Sequence, residues 1–306
     1  MKIAVTTVSF SSNDLLIKEL KKTKLNFKLN PFGRRLSFDE LVLFLSDCDG
    51  AIIGLDQISE KLIQACPNLK LVSKFGVGID NIDFEACRRN NIKVIYPKGI
   101  NKRSVSEMAL GMMISLARNI NSSSIKLKSG NWVKNGGFEL SGKTVGIIGF
   151  GHIGKDLIEL LKPFNVKLLV NDIDQNVFKD CCESIQVVDK DTLFGNSDFI
   201  SIHTPLTEMT KYLINDAVIK KMKKEVIIIN TARGGILKEI DVYSSLKSGM
   251  IGGLGIDVYE IEPEVNSQIR DFDNVICTPH IGGNSKEAVT QMGLSAISGL
   301  INNLNI

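Results

Sequence analysis

Short apolar runs alternate along this chain with stretches in which apolar positions return at helical intervals. In the first third the runs fall at 2–6, 25–29, 50–53, 71–75 and 93–95, and their length and β-branched content predict strands. Helices are expected between them at 13–22, 38–45, 59–65 and 84–89. The rhythm resumes later, with strands at 184–187, 198–202, 225–229, 253–256 and 274–277 and helices near 189–194, 216–222, 239–247 and 286–303. Alternating strands and helices on short connections imply parallel sheets covered on both faces. The expected fold is therefore α/β, with two doubly wound parallel-sheet domains. Residues 1–98 with 284–306 form one domain and 99–283 the other, because the last helix follows the final strand and can return to the first domain.

The segment between them, 99–142, reads as a connector and a long helix. Ser104 stands at its N-cap position, Glu107 at the capping-box position, and apolar residues continue from Met108 to Leu116. The methionines in it read as packing. The polar stretch 121–135, with the single Trp132, is either an arm at a subunit interface or an exposed loop.

One stretch, 143–172, carries more information than the rest. Thr144–Ile148 is a buried-strand pattern, and Gly149, Gly151 and Gly154 follow it in G-x-G-x-x-G spacing. Helical periodicity then runs to Pro163, and a second apolar run, 166–170, ends at Asn171-Asp172. The first glycine allows a tight turn, the second a close backbone approach to a pyrophosphate, and the third close packing of helix on sheet. The free N–H groups of the helix start favour phosphate. Asp172 suits an adenosine ribose and would repel a 2′-phosphate, and Ile173, Asp174, Gln175 and Asn176 supply no Arg, so NAD is expected rather than NADP.

Composition narrows the function further. With 306 residues, 43% hydrophobic and 23% charged, the chain has the balance of a water-soluble globular protein of about two domains. A net charge of +3 leaves no basic footprint for nucleic acid, and no apolar run is long enough for a membrane span. The start, MKIAVTTV, reads as a strand rather than a signal peptide. Cys48, Cys66, Cys87, Cys181, Cys182 and Cys277 form no CxxC pair; they read as small hydrophobes in a reducing, cytoplasmic setting. His152, His203 and His280 have no ligand-spaced company, so no metal is expected.

Polar residues cluster after three strands of the second half: Asn230-Thr231-Ala232-Arg233, then Asp257 with Glu262, then Thr278-Pro279-His280. Arg233 can grip a carboxylate with its rigid fork, His280 can exchange a proton near neutrality, and Glu262 can hold the imidazole and favour its charged form. In the first half, Lys74-Phe75-Gly76-Val77-Gly78 sits at a strand's carboxyl end, where backbone N–H groups can nest a small carboxylate. The turn Asn30-Pro31-Phe32-Gly33-Arg34-Arg35 carries paired arginines, either solvated or facing an anionic substrate tail.

The ordered series FGVGIDNID (75–83), SVSEMALGMMISLARNI (104–120), GFGHIG (149–154), HTPLT (203–207), NTARGG (230–235), DVYEIEP (257–263) and TPHIGG (278–283) resembles the D-isomer-specific 2-hydroxyacid dehydrogenases across nearly the whole chain. Within that family it looks most like the short phosphoglycerate dehydrogenases. The resemblance implies a Rossmann-like cofactor domain, a flavodoxin-like substrate domain, an active site in the cleft between them and a homodimer built through the cofactor domain. It makes Arg233, Glu262 and His280 the catalytic trio. Besides Gly149, Gly151, Gly154 and Asp172, it puts His152, Ile153, His203, Thr204 and Pro205 at the NAD site. Thr231, Ala232, Asp257, Gly282 and Gly283 complete that site. Lys74, Val77, Gly78 and Asn101, with Arg233 and His280, would hold the substrate.

The implied reaction is hydride exchange between NAD(H) and a small 2-hydroxy or 2-keto acid, such as 3-phosphoglycerate and its keto form. A glyoxylate or hydroxypyruvate reductase is the alternative, and a non-catalytic, NAD-responsive corepressor-like protein is a reading of another class. Glu262 separates the chain from the formate dehydrogenase branch, which carries Gln there. Lys102-Arg103 is more basic than this pattern leads one to expect, and either serves an anionic substrate or faces solvent. No regulatory domain is expected after the terminal helix.

Overall fold

Two parallel sheets hold all the named strands of the computed structural model, which describes residues 1–179, 184–263 and 268–303. In chain order the first elements are β1 (Lys2–Val5), α1 (Val8–Ser11), α2 (Asp14–Lys22), β2 (Asn26–Leu29) and α3 (Phe38–Leu45). Next come β3 (Gly50–Ile53), α4 (Glu60–Ala65), β4 (Leu71–Lys74), α5 (Phe84–Arg89) and β5 (Lys93–Ile95). Helices α6 (Lys102–Ala117) and α7 (Ile120–Lys128) precede β6 (Thr144–Ile148), α8 (His152–Leu161), β7 (Lys167–Asn171) and β8 (Ile185–Val187). The chain continues through α9 (Lys190–Asn196), β9 (Phe199–Ile202), α10 (Asp216–Ile219), β10 (Val226–Asn230) and α11 (Glu239–Lys247). It finishes with β11 (Ile251–Ile256), β12 (Val275–Cys277) and α12 (Lys286–Ile301).

The chain divides into two units, Met1–Asn101 with Ser285–Ile306, and Lys102–Asn284. Both junctions fall slightly later than the hydrophobic pattern places them. In the first unit the strand order is β2-β1-β3-β4-β5, with every pairing parallel. Its helices start where short polar side chains meet free backbone amides. Asn13, Ser59 and Asp83 each accept a bond from the first turn of their helix, and Ser37 with Glu40 makes a full capping box before α3. Each such cap contributes about 1 kcal/mol. Helix α12 belongs to this unit. It lays Met292, Ala296, Ile297 and Leu300 against Ile3, Leu16 and Leu71, and its Ala296 carbonyl accepts a bond from Ser73 Oγ at 2.8 Å.

In the second unit the order is β12-β11-β10-β9-β6-β7-β8, again parallel throughout. One apolar cluster lies under α9 and α11 and the other under α6 and α8, so the sheet is covered on both faces. The order reverses between β6 and β9. A crevice opens at such a switch point beyond the carboxyl ends of the strands, and open α/β sheets bind ligands there.

Two local expectations are corrected. Helix α6 starts at Lys102, so Ser104 lies inside its first turn rather than ahead of it, and its hydroxyl is used elsewhere. The stretch read as an interface arm or an exposed loop is helical up to Lys128, as part of α7, which Asn119 in the left-handed region (φ 51°) separates from α6. None of the residues of α7 is buried, which is why its periodicity carried no signal. Cys181 and Cys182 lie outside the described residues; Cys48, Cys66, Cys87 and Cys277 are free thiols.

Candidate active site and dinucleotide cradle

Backbone geometry at the end of β6 builds the cradle. Gly149 has φ +98°, and a Cβ there would run into the His203 carbonyl, which emerges from the neighbouring β9. Gly154 would in turn collide with the Gly149 carbonyl, so α8 crosses directly over the turn. Gly151 is different: it caps α8 without a side chain, and a Cβ placed on it meets nothing within 4 Å. The first turn of α8, starting with His152 and Ile153, therefore presents its amides to open space, as a diphosphate requires.

Asp172 follows β7 and ties the second strand to this loop. Its Oδ2 accepts the Phe150 amide at 2.7 Å and its Oδ1 the Asp174 amide at 2.9 Å. Each carboxylate oxygen keeps a further lone pair for a ribose hydroxyl. His203 holds its ring inside the unit. Nε2 lies 2.8 Å from Ser201 Oγ, Nδ1 is buried without a partner among the described residues, and burial pushes its pKa down to about 3. Its backbone carbonyl lies against the glycine loop. Thr204 and Pro205 continue the chain from there.

Three neighbouring strands, β10, β11 and β12, deliver the proposed chemistry. After β10, the Asn230 side chain closes a tight turn: Oδ1 accepts the Ala232 amide at 3.1 Å and Nδ2 donates to the Arg233 carbonyl at 2.9 Å. Thr231 Oγ1 in that turn is buried and has no partner among the described residues, so a ligand group can take it up. Arg233 Nη1 donates to the Ala232 carbonyl at 2.7 Å. Gly234 packs so closely on Tyr259 that a Cβ would strike its carbonyl, which joins this turn to the loop after β11.

Asp257, at the end of β11, is only 1% exposed. Its carboxylate accepts Thr278 Oγ1 at 2.6 Å, the Ile281 amide at 2.8 Å and the Gly282 amide at 2.8 Å. It thus grips the chain on both sides of His280, a residue in the left-handed region (φ 53°) that L side chains adopt only when their surroundings over-determine them. His280 Nδ1 meets Glu262 Oε2 at 2.7 Å, and Glu262 Oε1 accepts the Tyr259 amide at 3.0 Å. The hydrogen bond to Glu262 raises the His280 pKa above its ordinary value against the opposing effects of burial and Arg233. Burial works to raise the Glu262 pKa, but the bond from His280, the Tyr259 amide and the nearby charges of His280 and Arg233 bring it below the usual range. The pair is poised as carboxylate and imidazolium.

In the first unit, Thr6, Gly54, Asp56, Lys74 and Asn81 form one network beyond the carboxyl ends of β1, β3 and β4. Thr6 Oγ1 donates to Asp56, Lys74 Nζ donates to the Gly54 carbonyl and to Asn81 Oδ1 (2.7 Å), and Asn81 Nδ2 donates to the Asp56 carbonyl. Lys74 is buried within it, and the half-buried Gly76, Val77 and Gly78 follow, with Gly76 at φ +132°. Asn101 Oδ1 is buried without a partner among the described residues. The paired arginines are otherwise engaged: Arg34 forks onto Glu40 at 2.6 and 2.8 Å, and Arg35 donates to the Leu55 carbonyl. Arg103 pairs with Asp156 of α8.

The sequence resemblance places Asp257 at the NAD site and gives neither it nor Asn230, Tyr259 or Ser104 the supporting role seen here. A short amide at a strand's end was the one available signal for Asn230. The roles of Tyr259 and Ser104 depend on residues distant in the chain.

Residues 110–282 match the family model for the D-isomer specific 2-hydroxyacid dehydrogenase, NAD binding domain. A hydroxypyruvate reductase of Thermotoga maritima is 38% identical over 301 residues, covering 96% of this chain and 97% of that one. A D-3-phosphoglycerate dehydrogenase of Archaeoglobus fulgidus is 35% identical over 273 residues, 87% of this chain but 51% of its own, so the chain spans about half that relative's length. The solved NAD-dependent formate dehydrogenase of Staphylococcus aureus in complex with NAD superposes with a TM-score of 0.86 at 30% identity, covering 100% of this chain and 96% of that one.

Proposed function

Since the chain belongs to the D-isomer-specific 2-hydroxyacid dehydrogenases, NAD-dependent oxidoreductases, we propose that Arg233, Glu262 and His280 are its catalytic residues. When bound, NAD(H) would supply or take up the hydride at the 2-carbon of the acid. In reduction, His280 holds a proton on Nε2, the nitrogen that Glu262 leaves free, and passes it to the keto oxygen; in oxidation it takes the proton back. The Arg233 fork receives the substrate carboxylate; within the first unit, the backbone of Val77 and Gly78 with Lys74 and Asn101 forms a substrate-binding set of its own. Thr231, Ala232 and the Gly149–Gly154 turn hold the dinucleotide, with Asp172 on the ribose. The observation that carries this reading is the 2.7 Å bond between His280 Nδ1 and Glu262 Oε2.

The substrate we favour is a short unphosphorylated 2-keto acid, hydroxypyruvate or glyoxylate. A relative matching this chain over nearly its full length is named a hydroxypyruvate reductase, and Arg34 and Arg35, the basic pair available for an anionic tail, are bound to Glu40 and Leu55. The second reading, 3-phosphohydroxypyruvate, is favoured by the phosphoglycerate dehydrogenases among the relatives. The test is NADH oxidation with glyoxylate, hydroxypyruvate, pyruvate and 3-phosphohydroxypyruvate. The highest kcat/KM is expected on hydroxypyruvate or glyoxylate; a preference for the phosphorylated acid reverses the order, and turnover of none defeats the assignment.

The same reading makes the protein a homodimer. Ile120, Ile125, Leu127, Trp132 and Val133 are exposed apolar side chains in and after α7, with Trp132 76% accessible, and a second copy would cover them. The free thiols Cys48, Cys66, Cys87 and Cys277 support a reducing, cytoplasmic setting. Among the described residues no helix is long and apolar enough to cross a membrane.

A further inference from the structure

The segment that follows His280 is held at three backbone atoms. Asp257 takes the amides of Ile281 and Gly282, as described. Ser104 Oγ, in the first turn of α6, donates to the Gly282 carbonyl at 2.6 Å. Val105 and Met108 of the same helix lie just beyond Gly282, with side-chain atoms 3.8 and 3.5 Å from where its Cβ would stand. The donor is itself fixed. The turn that bears Ser104 is anchored to α8 through the buried Asp156, which accepts Ser106 Oγ at 2.5 Å and pairs with Arg103 at 3.1 Å. Helix α8 begins at Gly151, the open end of the dinucleotide cradle.

We infer that Ser104 is a positioning residue for His280: its hydroxyl holds the Gly282 carbonyl and so sets the imidazole's place relative to the cofactor helix. The physical need is plain. His280 occupies a left-handed backbone conformation that is costly for a side-chain-bearing residue and persists only while the surrounding structure holds it. Asp257 pins the amides of Ile281 and Gly282, and Ser104 pins the Gly282 carbonyl, two residues beyond His280. Without Ser104 the loop can relax about Asp257, which loosens the fit between His280 and Glu262 while leaving the glycine turn of the cradle intact. Ser104 touches neither substrate nor cofactor in this scheme and acts through the loop.

The inference rests on His280 being the proton donor, and the experiment separates the two. The variants Ser104→Ala, Ser104→Thr and His280→Ala are compared in the full chain for kcat, for KM of the keto acid, for NADH affinity by fluorescence, and for the pH profile of kcat/KM. For Ser104→Ala, about a 10-fold loss in kcat is expected, the equivalent of one lost hydrogen bond to a buried carbonyl. NADH affinity should stay within about twofold, since the cradle is unaltered. The alkaline limb of reduction should move to lower pH, as His280 loses some of its contact with Glu262. Ser104→Thr retains the hydroxyl and should restore both. Wild-type kcat with an unshifted profile in Ser104→Ala overturns the positioning role, as does a parallel loss of kcat, NADH affinity and melting temperature that Thr does not rescue. Full turnover in His280→Ala would instead sink the proton-donor reading itself.

Discussion

Glu262 Oε2 lies 2.7 Å from His280 Nδ1, so the carboxylate holds the imidazole by one nitrogen and leaves the other free to exchange a proton. That contact shifts both partners in the directions a proton donor needs. The imidazole keeps its proton to higher pH than an isolated histidine, and the carboxylate stays ionised.

The pH profile should report this pair. If His280 is the proton donor, reduction needs it protonated, so kcat/KM for the keto acid should fall as pH rises through a His280 pKa above the ordinary value of about 6.5, while oxidation should rise through the same point. Glu262→Gln removes the anion that supports the imidazolium. The alkaline limb of reduction is then expected at lower pH, with a loss in kcat of roughly 10-fold or more. An unmoved limb in Glu262→Gln would mean that the carboxylate does not govern the proton.

The glycines of the cradle should separate fold from function. Gly149 has a positive φ and no room for a Cβ beside the His203 carbonyl, so Gly149→Ala should lower stability by about 1–3 kcal/mol and abolish NADH binding. Gly151 faces open space, so Gly151→Ala should melt like the parent yet bind NADH roughly 10-fold more weakly, since ~1.4 kcal/mol of lost contact is tenfold. Melting curves and NADH titrations check both. Undiminished NADH affinity in Gly151→Ala would mean that no phosphate approaches there.

Acid should destabilise the second unit through His203. Its ring is buried and neutral, with a folded pKa of about 3, whereas the unfolded chain binds the proton below about 6.5. Between those values the unfolded state holds the extra proton, so stability falls as pH drops from about 6.5 toward 3. His203→Asn retains a polar partner for Ser201 and cannot titrate. Its Tm should decline less steeply than the parent's between pH 7 and pH 4; equal slopes would show that another group sets the acid limb.

Much of this was legible in the residues because strands and chemistry coincide in an α/β sheet. Apolar runs mark the strands, and whatever follows them lies at the ligand-binding end, which is how Gly149, Asp172, Arg233 and His280 could be picked out. Contacts between residues distant in sequence were not legible. Paired arginines look the same whether solvated or, like Arg34, forked onto a glutamate six residues on, and Lys102-Arg103 gave no hint that Arg103 serves a buried aspartate in α8. Ser104 read as a helix cap because a serine before an apolar run usually is one; α6 starts earlier, and that frees the hydroxyl for Gly282. Helix α7 buries nothing, so no periodicity announced it.

Single-turnover reduction of hydroxypyruvate or glyoxylate by NADH, in the parent and in His280→Ala, bears on the proton donor itself. The expected result is a loss of about 10²–10⁴-fold in rate with NADH affinity unchanged. A variant that turns over at the parental rate, or that fails because NADH no longer binds, would contradict the role given to His280.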